Sequence, residues 1–269
     1  EQGEMPAADA QTGDLLLESA DSLALSPDGH GGSFKGLIAS GAFDWMQKRG
    51  VTLVSYFQVD NPLVKFIDPL FIGAHVLSGS EFSSKATPKK NAEEKVGVFG
   101  LRSGQLGVIE YTDMPPELSK SLDDKGELRF RWGNTAIHLM NADFVKKVVA
   151  TGTLPYHTAI KKVPHWNGAP VSPEKPNARK FEQFVFDAIP LAHNPMVMAI
   201  RSQEEFSPIK NATGTDSPET SRADQVSLWR SWLKDVGVEA PAGDFEITPV
   251  FADSLEALKA QKASGKLPA

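Results

Sequence analysis

Three groups of residues in this chain have types and spacings that could do chemistry. The first is a glycine-rich loop, SPDGHGG, running from Ser26 to Gly32. Glycines at 29, 31 and 32 remove Cβ atoms, so the backbone can approach a planar ligand or an anion and take positive φ without strain. The second is Asp60 with Asn61, directly after the apolar run Val51–Val59. In open α/β sheets ligands bind beyond the carboxyl ends of the strands. A carboxylate there suits Mg2+, a hard cation that keeps waters and substrate phosphates among its ligands; the same two residues would serve equally well as a turn. The third is Lys210 in EEFSPIKNA, a flexible point charge that either meets a phosphate or stands as an ordinary exposed lysine.

These groups need elements to hold them. Phe34, Leu37, Ile38, Phe43 and Met46 are spaced for an amphipathic helix over about Ser33 to Arg49, and Val51–Val59 reads as a central strand buried on both faces. PLFIGAHVLSG predicts a helix over 69–79, and 83–88 the next strand. Lys85, Lys89, Lys90 and Lys95 read as a basic, solvated loop. Val96–Leu101 and Leu106–Tyr111 predict a hairpin around Ser103 and Gly104, with Glu110 inside its second strand, either exposed or touching a ligand. Leu128–Trp132 reads as a short strand, and Gly133 and Asn134 as a turn before a helix that starts at Asn141. His138, with no second ligand at helical spacing, reads as a core or surface histidine. Beyond an irregular lobe at 155–176, the pattern predicts a helix over 181–192, a strand at 196–201, a loop at 204–212, a helix opened by Ser217, a strand at 245–251 and a terminal helix at 254–263. Alternating strands and helices indicate an α/β fold with a mixed, mainly parallel sheet flanked by helices, and a small C-terminal region.

The 269 residues are enough for one large α/β domain or a domain with an appendage. Lys and Arg number 28 against 34 Asp and Glu, a net charge of -6, so the chain offers no general attraction for nucleic acid or an anionic membrane. No apolar run approaches the roughly 18 residues of a membrane span. The opening EQGEMPAADAQ resembles no signal peptide, so a cytoplasmic location is expected. Zero cysteines exclude disulfides, thiolate catalysis and cysteine-type zinc sites.

In order along the chain, SPDGHGG, QVDNPLVKFIDPLFIG, VGVF, VIEYTD, WGNTAIH, AIKKVP, KPNARKFEQFVFDA, EEFSPIKNA and DSPET resemble the eukaryotic-type UDP-N-acetylglucosamine pyrophosphorylases, within the broader UDP-sugar pyrophosphorylase family. The resemblance runs from Ser26 to about Gly237. It implies a nucleotidyltransferase core of the glycosyltransferase A kind, with residues 1–25 as a connection, 26–215 as the C-terminal part of the catalytic core and 216–269 as a helical and β appendage.

The implied reaction joins UTP and a sugar 1-phosphate into a UDP-sugar and pyrophosphate, with N-acetylglucosamine 1-phosphate as the sugar substrate and Mg2+ as cofactor. By the same resemblance, Pro27, Gly29 and His30 contact the nucleotide and Asp60 holds Mg2+ beside it. Gly97, Glu110 and Asn134 read the sugar, Phe184 and Phe186 border its N-acetyl group, and Lys210 binds phosphate. Partners are these small molecules, with no nucleic acid or membrane, and a monomer or weak oligomer is expected. His30 stands where the N-acetylglucosamine branch commonly has Asn, and the glycine, histidine, glycine series is similar to the UDP-glucose branch; Asp28 and Gly32 are similar to the former. The family's N-terminal loop with GG, TRLG and PK is not in this sequence, which implies the C-terminal part of a longer enzyme or a chain with little turnover. The alternatives are a silent nucleotide-sugar binding protein and a UDP-glucose or broad UDP-sugar pyrophosphorylase.

Overall fold

The computed structural model describes residues 3–152 and 154–267. The chain divides into two compact units: one comprises the segment ending at Tyr56 together with Ile67–Met198, the other Phe57–Phe66 together with the segment from Ala199 onward. Residues 199–215 thus group with the C-terminal segment. Residues 1, 2, 268 and 269, included in the expected connection and appendage, lie outside the described residues.

In the first unit a six-stranded sheet is organised on one long strand, Trp132–Asn141. Phe82–Pro88 pairs with it antiparallel along one edge. Leu53–Tyr56 pairs antiparallel with its far end, at His138–Asn141, and Val98–Arg102 touches its near end at Gly133. Because Leu53–Tyr56 and Phe82–Pro88 both oppose the same strand, they run parallel to each other, as a strand–helix–strand crossover requires. The fold is the expected mixed α/β one flanked by helices, yet each register set out here is antiparallel, since the long strand sits between the parallel pair. Gly133 and Asn134 lie within this strand, not in a turn. Four steps from Asn134 to His138 answer two from Ala86 to Ser84, a bulge that places Ala136 at φ +55°.

Helices cover the sheet. The expected single helix over 33–49 is two, Ser33–Ala39 and Ala42–Lys48, broken where Gly41 takes φ +75°. Pro69–Ser78 starts as its sequence dictates: the Asp68 carboxylate accepts from the Leu70 and Phe71 N–H groups, and Pro69 stands where no N–H is needed. Ala142–Ala150 buries Phe144, Val145 and Val148. These pack with Phe34, Phe43, Phe82, Phe99, Met140, Val185, Phe186 and Ile189 into the main core.

Other expectations change with tertiary context. The strand expected over 51–59 shrinks to Leu53–Tyr56, and Val59 is 98% exposed. The hairpin is Val98–Arg102 with Gln105–Ile109, so Glu110 sits just beyond its strand. The helix expected over 181–192 is a strand, Ala178–Glu182, followed by a 3-10 run, Val185–Leu191, because Ala178–Glu182 is recruited by His157–Lys161 on one side and by Ala8–Asp9 on the other. Residues 4–27 therefore supply strands to small sheets around Ala7, Leu16, Ala24, Val163 and Ala178.

In the second unit, Pro218–Asp235 is capped by Ser217 and Leu255–Ala263 by Ser254, as their sequences require. Between them, 245–251 contains turns and no strand. Leu233, Val236, Ile247, Ala252 and Leu258 form the core, with Trp229, Trp232 and Phe245 against it.

Candidate functional site

The glycine loop owes its composition first to the chain itself. Gly31 N–H donates to Gln183 O, and Gln183 N–H donates to Asp28 O, each at 2.8 Å. Gly29 takes φ +86°, and a Cβ there would sit 2.7 Å from Gln183 N; one on Gly31 would sit 2.8 Å from the Gln183 carbonyl carbon. The space expected to admit a ligand at these two glycines is occupied by the Gln183 backbone. Gly32 has only ordinary contacts, with Asp28 Oδ1 at 3.5 Å from its ideal Cβ. Pro27 ends a short strand opposite Glu4 and is exposed.

This pairing aims His30 at a set of rings. Its centroid lies 5.2 Å from Phe184, 5.7 Å from Tyr56 and 6.1 Å from Phe186, and Phe184 stacks on Phe186 at 5.0 Å. The Val185 N–H donates to His30 Nδ1 at 3.2 Å. Burial lowers the His30 pKa to about 4, against a smaller upward pull from Asp187. The ring is therefore neutral, with Nδ1 accepting and the proton on Nε2, so it offers one N–H donor. His157 closes the group: it lies 4.9 Å from Phe184, with Nδ1 3.0 Å from Asp113 and Nε2 3.0 Å from Asp187. Hydrogen bonding to Asp187 leads the causes that raise its pKa to about 9, so it is a cation at neutral pH.

Gly97, Glu110 and Asn134 meet in a second corner of the same unit. Asn134 N–H donates to Gly97 O at 2.8 Å, while its own Oδ1 accepts from Ala136 N at 3.0 Å and fixes the bulge. A Cβ on Gly97 would meet Glu110 Oε1 at 2.5 Å, so glycine just before the Val98–Arg102 strand is what lets the carboxylate lie there. The corner thus brings together a carboxylate, from Glu110, and a carboxamide, from Asn134.

Lys85 is not part of a solvated loop. It is fully buried in the Phe82–Pro88 strand, and its Nζ lies 2.5 Å from Asp68 Oδ2. Burial alone would raise the Asp68 pKa, but the hydrogen bond and charge of Lys85 outweigh it and the carboxyl stays below its ordinary value. His138 is a core residue. Its Nδ1 lies 2.9 Å from Ser84 Oγ, and burial holds its pKa down to about 3.

In the second unit, Asp60 and Lys210 share one backbone frame. Ile209 N–H donates to Asp60 O at 2.8 Å, and the Lys210 and Asn211 N–H groups both donate to Asp216 O. Asn61, 3% exposed, donates from Nδ2 to Glu205 O at 2.8 Å and accepts at Oδ1 from Ser207 N at 2.9 Å. Among the described residues no cluster of three or more His, Asp or Glu could hold a metal. The lone oxygen donor set of Asp60 fits a Mg2+ whose remaining ligands are phosphates and water, and does not fit an all-protein cage.

Residues 1–215 match the family described as UTP–glucose-1-phosphate uridylyltransferase. The chain belongs to that family. A Saccharomyces cerevisiae UDP-N-acetylglucosamine pyrophosphorylase is 37% identical over 246 residues, 88% of this chain and 51% of the yeast protein. A crystal structure of a candidate UDP-N-acetylglucosamine pyrophosphorylase from Entamoeba histolytica matches with TM-score 0.85 at 35% identity, over 96% of this chain and 66% of that one. The Trypanosoma brucei UDP-N-acetylglucosamine pyrophosphorylase, solved with an inhibitor, matches with TM-score 0.83 at 25% identity, over 98% and 57%. The chain thus spans about half the length of the curated relatives it matches.

Within this uridylyltransferase fold, three residues went unremarked or misread in the sequence. His157 carries no motif, and only the strand pairing that opposes it to Glu182 brings it to the FVFD segment. Lys85 looked solvated because three lysines follow nearby, although its place inside FSSKATP, a strand buried at six of seven positions, was the available signal. Asn61 read, with Asp60, either as part of a ligand-binding strand end or as a turn, and nothing local announces its two long-range bonds.

Proposed function

We propose that this chain forms part of a uridylyltransferase that converts UTP and N-acetylglucosamine 1-phosphate into UDP-N-acetylglucosamine and pyrophosphate. The observation that carries the reading is the joining of Asp60 to the Lys210 loop through Ile209 N–H to Asp60 O, which holds a carboxylate and an ammonium group on one frame. The names of the relatives point to the same chemistry.

Little covalent work falls to the protein. A sugar phosphate is already an anionic nucleophile near neutral pH, so no general base is required. One of its oxygens attacks the α-phosphorus in line as the bond to pyrophosphate breaks, and catalysis rests on placement and charge neutralisation. Lys210 would pair with a phosphate oxygen. Asp60 would hold Mg2+, which when bound supplies charge neutralisation across the phosphates. His30 would give its Nε2–H to a uracil carbonyl. Glu110 and Asn134 would take the sugar hydroxyls, and Phe184, partly exposed and stacked on the buried Phe186, would offer an apolar face to the N-acetyl methyl group.

The test is Mg2+-dependent pyrophosphorolysis of UDP-N-acetylglucosamine by the full-length protein, beside UDP-glucose and UDP-N-acetylgalactosamine. Asp60→Ala should abolish it; full retention would remove the proposed metal role. Binding of UDP-sugar with no turnover by the full-length wild type would favour a silent binding protein.

A further inference from the structure

Asn61 does more than form a turn. Asp60 and Asn61 meet alternate residues of the 205–209 segment: Asn61 Nδ2–H donates to Glu205 O, Ser207 N–H to Asn61 Oδ1, and Ile209 N–H to Asp60 O, all between 2.8 and 2.9 Å. One carboxamide thereby continues a backbone ladder, giving 205–209 a strand partner where no strand exists. The segment is anchored further by Ser207 Oγ, which donates to Asp224 Oδ2 at 2.6 Å, and by Ser221 Oγ, which donates to Ser207 O at 3.1 Å. Lys65 Nζ lies 3.4 Å from Glu205 Oε1. Lys210 comes one residue after the last rung, and its loop is closed by Asp216 O.

We propose that Asn61 is a positioning residue that sets the register of the Lys210 loop against Asp60, so that the ammonium group and the carboxylate face the same phosphates. The inference rests on the uridylyltransferase reading above. A carboxamide is required because the two rungs need a donor and an acceptor side by side. Alanine loses both rungs and takes from the buried Ser207 N–H its Asn61 acceptor; aspartate keeps the acceptor and sets an anion against the Glu205 carbonyl.

The experiment compares Asn61→Ala, Asn61→Asp, Lys210→Ala and the Asn61→Ala/Lys210→Ala pair in the full-length protein. It follows kcat and KM for UDP-N-acetylglucosamine pyrophosphorolysis, and amide hydrogen exchange of residues 205–211 without substrate. Misplacement by about an ångström lowers rate by about 10²-fold, so Asn61→Ala should lower kcat by about 10- to 100-fold with KM changed less than about threefold. In the Lys210→Ala background the further loss should be under about twofold, and exchange across 205–211 should quicken. Losses that multiply, a change confined to KM, or unchanged exchange would each overturn the proposal. Loss of a cooperative thermal transition in both Asn61 variants would overturn it too, making Asn61 a folding residue. If the wild type shows no pyrophosphorolysis, the enzymatic reading falls by itself, while the exchange data still decide whether Asn61 orders the Lys210 loop.

Discussion

His157 Nε2 lies 3.0 Å from both carboxylate oxygens of Asp187, the residue that follows Phe186. The pair fixes Phe184 and Phe186 from behind, because Asp187 Oδ2 also accepts from the Phe184 N–H at 3.3 Å. The imidazole pKa is raised from 6.5 to about 9. Its stabilising contribution is therefore fully present below about pH 6.5 and is lost as pH rises through about 9. Unfolding free energy should fall by on the order of 2 kcal/mol across that window, allowing for solvent on the Asp113 side. Asp187→Asn should remove most of this slope in denaturant titrations at several pH values.

His30 behaves in the opposite sense. Burial lowers its pKa from 6.5 to about 4, so the unfolded chain binds the proton first and stability drains away as pH falls from about 6.5 towards 4. Asn at this position keeps an acceptor for the Val185 N–H and a donor, yet cannot titrate. His30→Asn should fold normally and flatten the acid limb of the stability curve between those two pH values.

Lys85 and Asp68 make a buried ion pair, for which removing one partner is far worse than removing both. Lys85→Met should destabilise the protein by about 3–5 kcal/mol. Lys85→Met with Asp68→Asn should recover part of that loss, since asparagine still caps the Pro69–Ser78 helix. Thermal unfolding of the singles and the double closes the cycle.

Gly97→Ala drives a methyl group against Glu110 Oε1 and Val108 Cγ1. The carboxylate must move away from the corner it shares with Asn134. KM for the sugar phosphate should rise by about tenfold or more with the UTP KM little changed, a result that steady-state kinetics on the full-length protein would read directly.

Where local physics decides, the sequence was legible. The Pro69–Ser78 and Pro218–Asp235 helices carry their caps and first-turn prolines in plain view, and Ser103 and Gly104, both at positive φ, close the hairpin between its apolar runs. Where pairing at long range decides, local signals misled. Gly133 and Asn134 punctuate like a turn but lie in the longest strand of the sheet, held there by neighbours on both edges. Ala178–Glu182 became a strand through partners at 157–161 and 8–9. At the candidate site, residue types pointed to Asp60, Glu110 and Lys210, and the motif resemblance alone suggested how they should be grouped. The ion pairs of His157 and Lys85 and the ladder of Asn61 depend on contacts that no window of sequence contains.

The exchange of backbone hydrogen bonds between Gly31, Asp28 and Gln183 also has a bearing on how the chain is made. The glycine loop is shaped by a partner that leaves the ribosome some 150 residues later, so it cannot take its final form during synthesis of the helices beside it. Contacts this distant in sequence form slowly and late. Substitutions around Gln183 should therefore show themselves in the yield of refolded protein, through a loop they adjoin only in space.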